Sequence, residues 1–63
     1  MTVASQLKQT LASLQSTQAT LKIYAQQSQA ETAKTTFTTA DQITGDIINE
    51  LEERLKILEF EEP

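Results

Sequence analysis

The side chains that could do chemistry in this 63-residue chain are few. It has no histidine and no cysteine, so the commonest general base, the commonest metal ligand and the thiol nucleophile are all missing. The serines lack a histidine that could activate them, and a Ser–Lys pair such as Ser5 and Lys8, spaced i,i+3, occurs on many exposed helices. We therefore expect no catalytic residue, and we expect that the protein is not an enzyme.

Paired carboxylates are the next candidates, because glutamates on facing helices of a bundle can hold two metal ions. Glu50 and Glu53 have a suitable i,i+3 spacing. Such sites also use histidine, which the chain lacks, and residues 1–30 contain no acid at all. The single glycine excludes a phosphate-cradling loop. The sequence predicts no metal site, no cofactor and no small-molecule substrate.

Charge and hydropathy exclude two further classes of partner. The net charge is −4, and all nine acids lie in residues 31–63, so nucleic acid would be repelled rather than bound. No apolar run approaches the roughly 20 residues that cross a bilayer. The first residues lack the basic start and apolar centre of a signal peptide, so we expect a cytoplasmic protein.

The first half of the chain has the apolar spacing of one helix face, with steps of three or four residues. This spacing predicts a helix over about 3–27, with Thr2 as its N-cap. Its apolar stripe is interrupted at Gln18. A polar side chain there, like Thr44 beside the second stripe, either fixes register and oligomeric state or lies at the rim and bonds water. The sequence leaves both alternatives open.

The second half predicts another helix, over about 31–59. Ser28-x-x-Glu31 has the spacing of a capping box, which favours a turn near 28–30 over one continuous helix. Threonines within Thr35–Thr39 are weak helix formers, but a single strand would have no partner. Gly45 marks either a bend or a close helix contact. The second apolar stripe consists of Ala33, Phe37, Ala40, Ile43, Ile47, Leu51, Leu55 and Leu58.

Together these elements predict an all-α fold, an antiparallel two-helix hairpin. So short a chain, without disulfide or metal, needs another source of stability, and one hairpin cannot bury both stripes. We therefore expect a homodimer in which two hairpins form a four-helix bundle. The expected self-association interface comprises Leu7, Leu11, Leu14, Gln18, Leu21, Phe37, Ile43, Ile47, Leu51, Leu55 and Leu58.

The opening residues, MTVASQLKQTLASL, resemble a small bacterial family known as domain of unknown function 1657. The resemblance continues through Gln18–Leu21, Ala33-Lys34, Ile47-Ile48 and the Glu-Glu-Pro end. Members of that family occur mainly in endospore-forming bacteria, often encoded beside spore-membrane proteins. The resemblance implies an accessory protein associated with spore or membrane proteins, but no site residues. The family usually has an acidic or amide residue near position 30, where this chain has Ala30.

The function expected from these observations is a non-enzymatic protein–protein interaction or structural module. Its partners would be a second copy of the chain and a membrane-associated or spore protein. The alternative is a peripheral protein that lays an amphipathic helix on lipid. That alternative is weaker because such helices favour lysine and arginine on the polar face, whereas glutamine, threonine and glutamate prevail here.

Overall fold

The computed structural model describes residues 2–61, which form two α-helices packed against each other as a hairpin. Helix α1 spans Val3–Gln27 and helix α2 spans Glu31–Glu61. The predicted all-α hairpin is confirmed, and α2 continues past its expected end near residue 59. The threonine-rich segment 35–39 is helical, and no strand occurs within the described part of the chain.

Helix α1 begins at a side-chain cap, as the sequence predicts. Thr2 has an extended backbone, and its Oγ1 accepts a hydrogen bond of 3.1 Å from the backbone N–H of Ser5. The carbonyl of Thr2 accepts from the N–H of Gln6, also at 3.1 Å. These two bonds satisfy groups that a helix start leaves without an intrahelical partner.

Ser28 ends α1 and does not cap α2, so the capping-box interpretation of Ser28-x-x-Glu31 is wrong. Its hydroxyl donates to the carbonyl of Tyr24 at 2.6 Å, and its backbone N–H donates to the same carbonyl at 2.9 Å. The first backbone bond of α2 runs from the N–H of Lys34 to the carbonyl of Ala30 at 3.0 Å. Ala30 therefore occupies the N-cap position, where its methyl group offers no acceptor.

Hydroxyl groups inside both helices bond to their own backbone. Thr10, Thr17, Thr20, Thr36 and Thr44 each donate to the carbonyl four residues earlier, at 2.7–3.2 Å. This bond gives a short polar side chain a partner within the helix. The threonine-rich sequence is thereby accommodated in helices despite its β-branched side chains.

The seam between the helices is thin. In residues 2–61 only Ala4, Leu11 and Ile48 are buried, at 5–7% exposure, and no side chain is fully buried. The hairpin measures 48 × 17 × 10 Å across its Cα atoms, a single layer of two helices. Most apolar side chains are therefore only partly covered by the other helix.

The second apolar stripe does not face α1 as one continuous line, in contrast to the sequence interpretation. Ile43 and Ile47 are 55% and 44% exposed, whereas Ile48 is buried. Asp41, Thr44 and Gly45 are half-buried in the middle of α2. Polar residues thus occupy the central part of the seam, and the two isoleucines lie beside it.

Candidate interaction surface

A polar contact lies at the middle of the seam, where α1 meets α2. The side-chain amide Nε2 of Gln18 donates to the backbone carbonyl of Asp41 at 3.3 Å. A Cβ placed on Gly45 would lie only 2.8 Å from the same Nε2. Gly45 is therefore a point of close helix contact, and its missing side chain makes room for Gln18. This hydrogen bond ties the register of the two helices to each other.

Two ion pairs cross the hairpin on one flank of the seam. Lys8 Nζ lies 2.9 Å from Glu59 Oε2, and Lys22 Nζ lies 3.1 Å from Asp41 Oδ2. The second pair is the less exposed, since the side chain of Asp41 is only 16% accessible. Its other oxygen, Oδ1, is buried without a hydrogen-bond partner. We call this flank of the hairpin the charged flank.

The opposite flank is apolar. Successive residues of an α-helix are rotated by roughly 100°, so a residue two positions from another points to nearly the opposite side. Ile43 follows Asp41 by two positions and Tyr24 follows Lys22 by two. Both therefore lie away from the charged flank, and Ile47 shares the side of Ile43 because it is four residues further on.

We call this side of the hairpin the apolar face. Val3, Tyr24, Ile43 and Ile47 are its exposed members, each at 44–56% accessibility. Between them the face includes half-buried side chains that the seam covers only in part, namely Leu14, Leu21, Ala40, Leu51 and Leu58. The face extends along both helices, because its members are three, four or seven positions apart in α2 and three, seven or eleven positions apart in α1.

An aromatic pair closes the apolar face at the loop end. The rings of Tyr24 and Phe37 have centroids 5.4 Å apart and planes tilted by 60°, a favourable arrangement for aromatic side chains. With Gln27 and Ser28 they line a shallow open pocket of about 250 Å³.

The residues predicted for self-association fall into three sets in the single chain. Leu11 is buried in the seam, and Ile43 and Ile47 are exposed on the apolar face. The others are half-buried, namely Leu7, Leu14, Gln18, Leu21, Phe37, Leu51, Leu55 and Leu58. Val3 and Tyr24 lie on the apolar spacing of the first helix but were not included in the expected interface, and Asp41 was not expected in the seam. For Gly45, the structure selects close helix contact from the two alternatives that the sequence left open.

Little of the remaining surface gathers groups that could do chemistry. Among residues 2–61, no group of three or more acidic side chains is placed to hold a metal ion. Glu50 and Glu53 are exposed, and the amine of Lys8 lies against Glu59. Neither described helix is long and apolar enough to cross a membrane. The apolar face is therefore the part of the described surface that is best suited to contact with a partner.

Fold and surface define a class of small helical-hairpin proteins that leave one apolar face uncovered. The chain belongs to the protein family of unknown function DUF1657, whose family model matches residues 7–55. This assignment confirms the resemblance found in the sequence. No curated protein and no solved structure matches the chain.

Proposed function

We propose that this protein is a non-enzymatic interaction module and that its apolar face binds the apolar face of a second copy. The observation that carries the proposal is the exposure of Ile43 and Ile47 beside a seam with only three buried apolar side chains in the described residues. Burying apolar surface is the main favourable term in association as in folding. Two hairpins joined in this way would form a four-helix bundle.

The size of the face supports a stable pair. The hairpin is 48 Å long and 17 Å wide, which gives a projected area of roughly 800 Å², similar to the ~800 Å² that each partner contributes to a standard interface. A second copy matches this length and width by construction. A short peptide would cover only part of the face.

The distribution of charge supports the same face. Lys8, Lys22, Asp41 and Glu59 pair on the charged flank, where they would stay in water when two apolar faces meet. Charged groups at the centre of an interface carry a large desolvation cost. Helical spacing also places Glu50, Arg54 and Glu61 beside the α2 part of the face, where all three are exposed and their long side chains can reach the rim.

A substitution on the apolar face tests the proposal. Ile47→Lys places a charge in the proposed interface, and we expect it to shift the protein from about twice its 7.0 kDa chain mass to the monomer mass in light scattering. Ile23→Lys is the matched control, because Ile23 is similarly exposed, at 48%, but lies one position beyond Lys22 on the outer side of α1. The control should keep the dimer mass.

Two results would contradict the proposal. The first is a well-folded wild-type monomer at tens of micromolar, and the second is an Ile47→Lys variant that stays dimeric. Flotation with anionic vesicles distinguishes the alternative of a peripheral membrane binder. Wild-type protein that floats with lipid, and loses this binding in Ile47→Lys, would assign the apolar face to lipid instead.

Association with a spore or membrane protein is a further part of the proposal, supported by the family resemblance alone. In that case the bundle would present its charged flanks and outer helix surfaces to the partner. Ile57 and Phe60 are such outer residues, and with Lys56 and Glu61 they line an apolar indentation of about 300 Å³. Phe60 is 91% exposed. A pull-down from sporulating cells with wild-type and Phe60→Ala proteins checks this partner.

A further inference from the structure

Charge is distributed unevenly along the hairpin. The half that holds the chain ends, residues 2–14 and 46–61, has six acids against three bases, Lys8, Arg54 and Lys56, and so a net charge of −3. The half that holds the turn, residues 15–45, has two acids and two bases and is neutral. The hairpin therefore has an acidic end and an end of zero net charge.

Two hairpins can place their apolar faces together in two symmetric ways. With the two-fold axis along the hairpin, both turns lie at the same end of the bundle. With the axis across the hairpin, the turns lie at opposite ends. Every helix has an antiparallel neighbour in both arrangements, so helix dipoles do not distinguish them. Net side-chain charge does distinguish them, because only the first arrangement brings the two acidic ends together.

We infer that the two copies pack with their turns at opposite ends of the bundle. The inference rests on the proposed self-association and specifies its geometry. It places the acidic end of α2, which includes Glu59 and Glu61, along segment 32–39 of the other copy, which contains Lys34 and no acid. The opposite arrangement would leave two groups of net charge −3 side by side.

With the two-fold axis across the hairpin, like apolar residues of the two copies also meet at the centre of the interface. The axis would pass near Leu14 of α1 and Ile47 of α2, which lie close to the middle of their helices. Each of these residues would then lie near its own copy. Like apolar side chains at a two-fold axis can pack without any change in the hairpin.

Spin labels at the turn measure this orientation directly, and the absence of cysteine makes labelling site-specific. Gln29→Cys puts a label on an exposed residue of the turn. With turns at opposite ends, the distance between the two labels should approach the 48 Å length of the hairpin. With turns at the same end it would be only the thickness of two helix layers, roughly 20–25 Å.

A label at the middle of α1 is the matched control. Gln15→Cys is also an exposed glutamine, and its position near the middle of the hairpin gives a distance of roughly 20–25 Å in either arrangement. Light scattering on the same labelled samples reports the mass. A dimer with a long Gln29 distance supports the inference, and a dimer with a short one overturns it. A monomer would instead refute the proposed self-association, so the two failures are distinguishable.

Discussion

Replacing Gly45 with alanine in two backgrounds tests whether the contact between Gln18 and Gly45 organises the seam. Alanine favours a helix interior over glycine by about 1 kcal/mol. In the wild-type background the new methyl group would lie 2.8 Å from Gln18 Nε2, too close for a Cβ contact. The side-chain amide of Gln18 must then move and give up its 3.3 Å hydrogen bond to the carbonyl of Asp41. Losing such a bond costs about 1 kcal/mol.

These two effects nearly cancel, so Gly45→Ala alone should change the free energy of unfolding by only a few tenths of a kcal/mol. In a Gln18→Ala background nothing opposes the methyl group, and the same substitution should stabilise by about 1 kcal/mol. The coupling between the two positions is therefore expected to be about 1 kcal/mol, well above the deviation from additivity at independent sites.

Urea unfolding followed by circular dichroism at 222 nm gives the free energy of unfolding of wild type, Gly45→Ala, Gln18→Ala and the double variant. All four are measured at one fixed protein concentration, because association adds to stability. Gln15→Ala supplies the control background, since Gln15 is an exposed glutamine on the same helix. Gly45→Ala should have the same small effect there as in wild type. An equal stabilisation by Gly45→Ala in the wild-type and Gln18→Ala backgrounds would show that Gln18 moves aside freely, and would refute the reasoning.

Two further predictions follow from the ends of α2 and from the charged flank. Ala30→Asp should stabilise the protein by about 1 kcal/mol, because it supplies the side-chain acceptor that the N-cap of α2 lacks. Thermal unfolding measures this effect, and the same change at Gln29, outside the cap, should stabilise the protein less. Equal effects at the two positions would refute the assignment of Ala30 as the cap. Lys22→Ala should lower the melting temperature more than Lys8→Ala. The first substitution leaves the half-buried Asp41 without its ion-pair partner, whereas the second leaves Glu59, which is well exposed. The reverse order would contradict the burial of the Asp41 pair.

The hairpin itself could be predicted because its signals are local. Two long helical patterns without proline, a threonine cap at residue 2 and a polar interruption near residues 28–30 all act over a few residues. The chemistry of Ser28 was harder to assign, because a hydroxyl both donates and accepts. Its spacing to Glu31 suits an acceptor at the start of α2. In the structure it donates backwards to Tyr24, and the spacing alone could not distinguish these roles.

The composition of the seam could not be predicted from hydropathy for a different reason. Two sets of positions in α2 fit the helical period equally well, one through Ile43 and Ile47 and the other through Thr44 and Ile48. Hydropathy favours the first. The pairing of Gln18 with Gly45 lies on the second, and that pairing is a contact between distant parts of the chain, invisible to a periodicity read along one helix.

The polar middle of the seam and the apolar face have one structural cause. A hairpin that buried Ile43 and Ile47 against α1 would rotate α2 so that Asp41 and Gly45 turned away from Gln18. The Gln18–Asp41 bond and the Lys22–Asp41 ion pair oppose that rotation. They keep two isoleucines on the surface at a cost to the stability of the single chain. The contacts that define the hairpin therefore leave apolar area for association. The Gly45 substitutions in the seam and Ile47→Lys on the apolar face consequently both report on this rotation of α2.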